Sequence, residues 1–441
     1  MRDLKMLTPI MWKALLKDEQ CKLLQRPLRE AEGNFIGRVQ EIVNCVRYQG
    51  DAACKEMTRN FDGVDLFDFE VQVEEFEDAR KKVSDTARRA MLRAIDQLHA
   101  FHSTQILKNI KVETSEGIFC ESQARPIQRV GLYIPGGSAP LVSTVLMLGV
   151  PAKIANCPIR IMCSPPRQEG GIDQNILIAA ELCGIEKIYK LGGAQAIAAM
   201  AYGTETIPKV DKIFGPGNAW VTQAKMLVSQ DAAGAIHDLP AGPSEVMVIA
   251  DSSADPEFIA ADLLSQAEHG GDSQVMLVCT DIDLSKKVSE AIGLQIKGLS
   301  RRTIAEQALK NSFLIIVDNV LDAIGIANEY APEHLIMQVE EPRSYLDKIQ
   351  NAGSVFLGPW SPESAGDYAS GANHVLPTYG FAKNLSGLTV RDFMKTITIQ
   401  ELTRDGLTDI ANTIRELATI EGLDAHKNAV DIRLGGDTNA E

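Results

Sequence analysis

The sequence predicts an α/β protein built on two mostly parallel sheets, and three observations carry that prediction. Short β-branched runs, each followed by Gly or Pro, alternate with helical stretches through the middle of the chain, as parallel strands joined by helical crossovers do. The runs fall into two sets on either side of LPAGPS at 239–244, a Pro/Gly-rich segment that reads as a hinge. Outside both sets, apolar residues recur at three and four, the spacing of amphipathic helices.

Taken in order, about the first 125 residues read mainly as helices, most clearly IGRVQEIVNCV at 36–46 and TARRAMLRAIDQL at 86–98. The first strand set is VGLYI (130–134), IRIMC (159–163), KIYKL (187–191) and KIF (212–214). The second is EVMVIA (245–250), QVMLVC (274–279), FLIIV (313–317) and SVFL (354–357). After Pro377 the pattern turns helical again, over 407–417 and 424–433.

Composition limits the function classes. A chain of 441 residues that is 45% hydrophobic can bury several real cores, which excludes a largely disordered protein. A formal net charge of −15 gives no electrostatic reason to bind nucleic acid. No apolar run reaches the roughly 20 residues of a membrane helix, and the amino-terminal stretch lacks the apolar core of a signal peptide, so no membrane partner is expected. Eight cysteines, none at CxxC spacing, read as reduced small hydrophobes of a cytoplasmic protein rather than a zinc ribbon or redox dithiol.

Histidine is scarce, with seven in the chain, so the surroundings of each are informative. His99 and His102 read as a solvated surface pair on a polar helix, and His237 has little around it. The other four lie in polar clusters. Gln266 and His269 are three apart at the end of a helix starting near Asp255, so amide oxygen and imidazole can converge on one point. A Gly pair at 270–271 would end that helix. Glu333 and His334 offer two proton-transfer groups of different reference pKa. The loop SPESAGDYASGANHVLPT at 361–378 contributes Asp367 and His374. Near the tail, Glu421 precedes a short helix that Asp424 would cap and that carries His426.

Gln, His, Asp and His from separate segments make a plausible N/O set for a divalent metal. Zinc fits it, manganese or cobalt could also bind, and a metal-free acid–base site stays open. Glycine-rich turns at 133–138, 191–195 and 214–218 follow strands, where open α/β sheets bind ligands. None matches GxGxxG, so the usual dinucleotide fingerprint is absent. GPSEV at 242–246 lacks the closing Gly of a nucleophile elbow, and Ser244 reads as a hydrogen-bonding residue. Cys120 and Cys157 are candidate thiolate nucleophiles, but neither has an adjacent His or Lys.

VGLYIPGGSAPL (130–141), GGAQAIAA (192–199), FGPGNAW (214–220), LPAGPSEV (239–246), LLSQAEHG (263–270), APEHL (331–335), the 361–378 loop and AHKNAV (425–430) together resemble the histidinol dehydrogenase family. The resemblance runs from about residue 30 to the tail. It implies two similar incomplete Rossmann-like parallel-sheet domains with smaller helical terminal domains, in an intertwined homodimer. The implied spans are a helical arm at 1–28, a first Rossmann-like domain at 29–132 plus 239–380, a second, NAD-binding one at 133–238, and a helical tail at 381–441 that contributes to the partner subunit.

It also implies a cytoplasmic, NAD-dependent oxidation of L-histidinol to L-histidine through a retained aldehyde, closing histidine biosynthesis, with one Zn2+ per subunit. Gln266, His269, Asp367 and His426 would hold the metal, His426 reaching it from the partner. Tyr133, Gln195 and Asn218 would contact NAD. Ser244, His374 and Glu421 would line the substrate site with His334 and the four metal ligands. Glu333 and His334 would be catalytic, Glu333 activating water and His334 taking the hydroxyl proton.

Overall fold

The computed structural model describes residues 7–26, 34–136, 140–240 and 242–435. They divide into two compact units, Met1–Gln105 with Gln128–Phe393, and Ile106–Ile127 with Met394–Glu441.

The first unit contains both parallel sheets. In one, the strands lie side by side as Lys187–Lys190, Ile159–Ser164, Arg129–Tyr133, Lys212–Phe214 and Ile236–His237, every pairing parallel. The chain builds outward from Arg129–Tyr133 on one side and then crosses to the other. Strand order therefore reverses between Arg129–Tyr133 and Lys212–Phe214, the point where such sheets bind ligands beyond their carboxyl ends. Gly215 sits there at φ +120°, where a Cβ would lie 2.1 Å from the Tyr133 carbonyl oxygen. Only glycine lets the two turns approach so closely.

The other sheet runs Pro9–Met11, Phe313–Ile316, Gln274–Cys279, Glu245–Ala250, His334–Gln338 and Ser354–Leu357, again all parallel. Its central strands are apolar at nearly every position because helices cover both faces. Val246, Val248 and Ala250 point into one core with Ile259 and Leu263, while Met247 and Ile249 point into another with Ile324 and Tyr330.

All eight expected strands are present. Three features of the organisation differ from the sequence expectation. The amino-terminal arm is not purely helical, since Pro9–Met11 adds to the sheet edge before the helix Lys17–Leu23. Residues from 35 to 69 accompany the five-stranded sheet: Val39, Val43, Val46 and Phe69 share a core with Ile161, Ile197 and Ile213. A boundary between 132 and 133 would cut the strand Arg129–Tyr133 at the centre of that sheet.

The second unit is an antiparallel sheet of Met394–Leu402, Ile118–Pro126 and Ile110–Ser115 with the helices Arg404–Ile420 and Asp424–Leu434. Both ends of the chain thus supply strands where helix was expected, and residues 381–393 stay in the first unit. Asp424 stands in the first turn of its helix, not at the cap, which is Leu423. Among the described residues no helix is long and apolar enough to cross a membrane.

Candidate active site

The helix Val320–Tyr330 ends on Ala331 in the left-handed conformation, φ +55°, and Pro332 then directs the chain into the strand that begins at His334. This turn resolves how two adjacent residues serve one place. The Glu333 carboxylate accepts from the Glu245 backbone N–H at 2.9 Å, and His334 Nδ1 lies 3.1 Å from the Glu245 carbonyl oxygen. A carbonyl only accepts, so Nδ1 carries the proton and Nε2 presents its lone pair. That Nε2 is buried without a hydrogen-bond partner among the described residues, 3.8 Å from an Asp367 carboxylate oxygen. Burial pushes the His334 imidazole down to about 3, and the ring is neutral at physiological pH.

Gln266 occupies the last turn of the helix Pro256–Ala267, fully buried, and His269 follows just beyond the helix end, exposed, its N–H donating to the Gln266 carbonyl at 3.2 Å. Asp367 and Glu363 are both buried on the helix Glu363–Tyr368, four residues apart and so on one face. Single ligand atoms of His269, Glu363 and Asp367 lie within 4.8 Å of one another.

The Gln266 amide lies against the Glu363 carboxylate, 3.2 Å from Oε2 and 3.2 Å from His334 Nδ1. Turned one way its NH2 donates to Glu363; turned the other, its oxygen faces carboxylate oxygens, a crowd of acceptors that a cation would relieve. No Lys or Arg pairs with Glu333, Glu363 or Asp367 among the described ion pairs. Burial lifts Asp367 to about 6 and holds Glu363 well above the usual carboxylate range, with Asp367, Glu333 and Asp262 adding to the latter. Burial raises Glu333 likewise, against the lowering effect of the Glu245 N–H. Asp262, itself raised to about 6 by burial, accepts from Gln338 at 3.4 Å. These residues fit a divalent metal: hard oxygen and imidazole donors, close together, whose charge no protein cation balances.

His374 reaches toward the five-stranded sheet. Its Nδ1 lies 3.0 Å from the Asp367 carbonyl and its Nε2 3.4 Å from Thr144 Oγ1, on the helix after the first glycine turn. Burial pushes this imidazole down to about 4. Neighbouring Asn373 donates to the Met147 carbonyl at 2.8 Å. The acid–base pair therefore stands at the amino ends of the six-stranded sheet, and His374 links it to the carboxyl-end turns of the five-stranded one.

Those turns carry the three expected cofactor residues. The Tyr133 hydroxyl accepts from the Gly193 N–H at 3.0 Å, and Gln195 is buried in the helix that Gly193 begins. Asn218 caps the helix Ala219–Ser229 by accepting from the Val221 N–H at 3.1 Å. Asp238 braces the turn between them, accepting from the Gly215 N–H at 2.7 Å and from the buried Lys225 ammonium. Gly137 and Ser138 of the first turn, and Ala241 of the hinge, lie outside the described residues.

The structure brings Gln266, His269, Glu333, His334, Asp367 and His374 together, with half-buried Ser244 immediately before Glu245. Glu421 and His426 belong to the second unit, both exposed, at the end of one helix and in the first turn of the next. Sequence reasoning missed Glu363, Asp262 and the main chain of Glu245. Only Glu363 had a usable signal, its i,i+4 spacing to Asp367. His102 is not a surface residue: it is fully buried, with Nδ1 2.8 Å from Gln105 Oε1. The thiols hold no place in the cluster, Cys157 packing its Sγ 3.5 Å from the Phe393 carbonyl and Cys120 lying in the second unit's sheet.

Comparison with known proteins agrees along the chain. A family model described as histidinol dehydrogenase matches residues 25–434. Histidinol dehydrogenase of Vibrio parahaemolyticus is 53% identical over 425 residues, 96% of this chain and 98% of that protein. The Salmonella typhimurium enzyme of the same name is 51% identical over 427 residues, 97% and 98%. A crystal structure of histidinol dehydrogenase from Elizabethkingia anophelis superposes with a TM-score of 0.93 at 47% identity, covering 97% of this chain and 98% of the other.

Proposed function

The chain belongs to the histidinol dehydrogenase family, and from that premise we propose that it oxidises L-histidinol to L-histidine in two NAD-dependent steps, the last of histidine biosynthesis, in the cytoplasm. The observation that supports the site assignment best is the joint anchoring of Glu333 and His334 on one residue's main chain, beside the His269–Glu363–Asp367 cluster.

His334 Nε2, lone pair free and solvent excluded, takes the substrate hydroxyl proton as hydride leaves the carbon, giving the aldehyde. Glu333, held by the Glu245 N–H, takes a proton from the water that adds to the aldehyde, while protonated His334 returns its proton to the aldehyde oxygen, so that the hydrate forms and Nε2 is free again. His334 then takes a proton from the hydrate as the second hydride leaves, giving the carboxylic acid. Tyr133, Gln195 and Asn218 would hold NAD, which when bound would supply the hydride acceptor for each oxidation. Gln266, His269 and Asp367, with His426 from a second copy of the chain, would hold the zinc, which when bound would supply a template for an imidazole and an amine. The buried Glu363 lies beside that template, while Ser244, His374 and Glu421 line the remaining substrate surface. Holding the aldehyde in one site avoids the entropic loss of rebinding it.

Incubation with L-histidinol and NAD should yield two NADH per histidine. NADH formed only with another small alcohol would replace this substrate, and none with any alcohol would leave a hydrolase or a regulator. The shared metal site has its own test. Mixed His426→Asn and Gln266→Ala proteins, each inactive alone, should recover about a quarter of wild-type activity, since half the dimers are hybrids with one intact site. No recovery despite confirmed subunit exchange would put both residues in one subunit's site.

A further inference from the structure

One side chain far away in the sequence grips the backbone on which Glu333 and His334 are set. Arg26, just beyond the helix Lys17–Leu23, forms a bidentate pair with Glu245, Nε to Oε1 and Nη2 to Oε2, both at 2.9 Å. The same Nη2 donates to the Tyr330 carbonyl at 2.8 Å and to the Ala331 carbonyl at 3.3 Å, and the guanidinium lies 3.7 Å over the Tyr330 ring. The Glu245 side chain is buried, 2% exposed, and that of Arg26 is largely shielded, 15% exposed. Glu245 Oε1 also accepts from the Tyr379 N–H at 2.9 Å, and the Tyr330 hydroxyl donates to Gln274 at 2.7 Å.

A buried ion pair adds little stability over a well-packed apolar pair of the same shape, because both charges lose their water. What the apolar pair would lack is direction. The Arg26 fork acts at two points that lead to the same place. Through Glu245 it fixes the peptide groups that receive the Glu333 carboxylate and the His334 Nδ1–H. Through the carbonyls of residues 330 and 331 it caps the helix and holds Ala331 at φ +55°, a conformation unfavourable for a residue with a Cβ. Pro332, Glu333 and His334 follow at once.

We infer that Arg26, paired with Glu245, is a positioning residue for both proton-transfer groups, setting the aim of the Glu333 carboxylate and the proton on His334 Nδ1 without touching substrate. This rests on the histidinol oxidation proposed above and deepens it: the amino-terminal segment is part of the catalytic scaffold.

Arg26→Met alone strands a buried carboxylate and can fail to fold. The informative variant is therefore Arg26→Met/Glu245→Gln, which removes both charges and keeps the volume. Its thermal midpoint, zinc content and KM for histidinol should match wild type, while kcat from histidinol and from histidinaldehyde fall together by about 10- to 100-fold, the cost of displaced acid–base groups. A kcat within about twofold of wild type in stable double variant would overturn the inference. So would a loss that tracks thermal midpoint alone. If wild type does not oxidise histidinol, the functional reading fails separately. The inference is then read from the imidazole nitrogen resonances of His334, assigned by its loss in His334→Asn. A single Nδ1–H tautomer in wild type should become mixed in the double variant, and one unchanged tautomer in both would sink it.

Discussion

Replacing His334 with Asn should lower kcat for histidinol oxidation by about 10²- to 10⁴-fold, the usual contribution of a positioned general base, with KM for histidinol and NAD little changed. Asn is the chosen replacement because its amide can still donate to the Glu245 carbonyl, now bonded at 3.1 Å by Nδ1. It offers no lone pair able to accept a proton where Nε2 stands. The loss thus reports proton transfer and not a collapsed turn. Both oxidations should slow, since each delivers a hydroxyl proton to the same nitrogen. Steady-state rates with histidinol and with histidinaldehyde decide it. A variant that loses less than about tenfold on either substrate would remove His334 from that half of the reaction.

The residues that sequence reading located best are those whose chemistry is rare. Seven histidines could be sorted by their neighbours, and the imidazoles of His269, His334 and His374 came together. Carboxylates are different. Among 59 acidic residues, Glu363 carries only the weak signal of its i,i+4 spacing to Asp367, and what sets it apart is being 1% exposed, a property of the packed chain. Glu245 acts on Glu333 and His334 through its peptide groups, which every residue except proline has alike, so no side-chain pattern could reveal it. His102 lies on a polar helix and reads as solvated until Gln105 and the helix Val142–Ile154 pack around it. The long apolar strands were legible because both faces are covered. The three-residue strand Pro9–Met11 was not, being too short to show a period. The strands Ile110–Ser115 and Met394–Leu402 are exposed and Ile118–Pro126 between them is half-buried, with weak alternation such as Ile397 and Ile399, and all three were absorbed into helical surroundings. Which segments share a core was the least legible feature, because the chain leaves each layer and returns.

Removal of the metal should abolish turnover, added zinc should restore it, and the strength of rebinding should rise with pH. The direction follows from the carboxyls. In the metal-free protein, burial lifts Asp367 from 3.8 to about 6 and Glu363 well above 4.5, so both hold protons in a range where unfolded carboxyls have lost theirs. A folded state that binds more protons than the unfolded one loses stability as pH rises, here from about 4 through 6. That part of metal-free stability is present below the unfolded pKa and is lost as pH passes the folded one. Zinc must displace the Asp367 proton to bind, so protons compete with the ion at low pH and the competition fades as pH increases. His334 and His374, pushed down to about 3 and about 4, titrate in the opposite sense, their stabilisation being lost as pH falls below 6.5. Subtracting the metal-free thermal midpoint from the zinc-loaded one at each pH removes most of that background. The zinc-induced shift should therefore grow between about pH 5.5 and 8, with proton release on binding visible by calorimetry in buffers of different ionisation heat. Full activity in demonstrably metal-free protein, or a zinc shift that is flat across this range, would contradict the assignment of Asp367 to the metal.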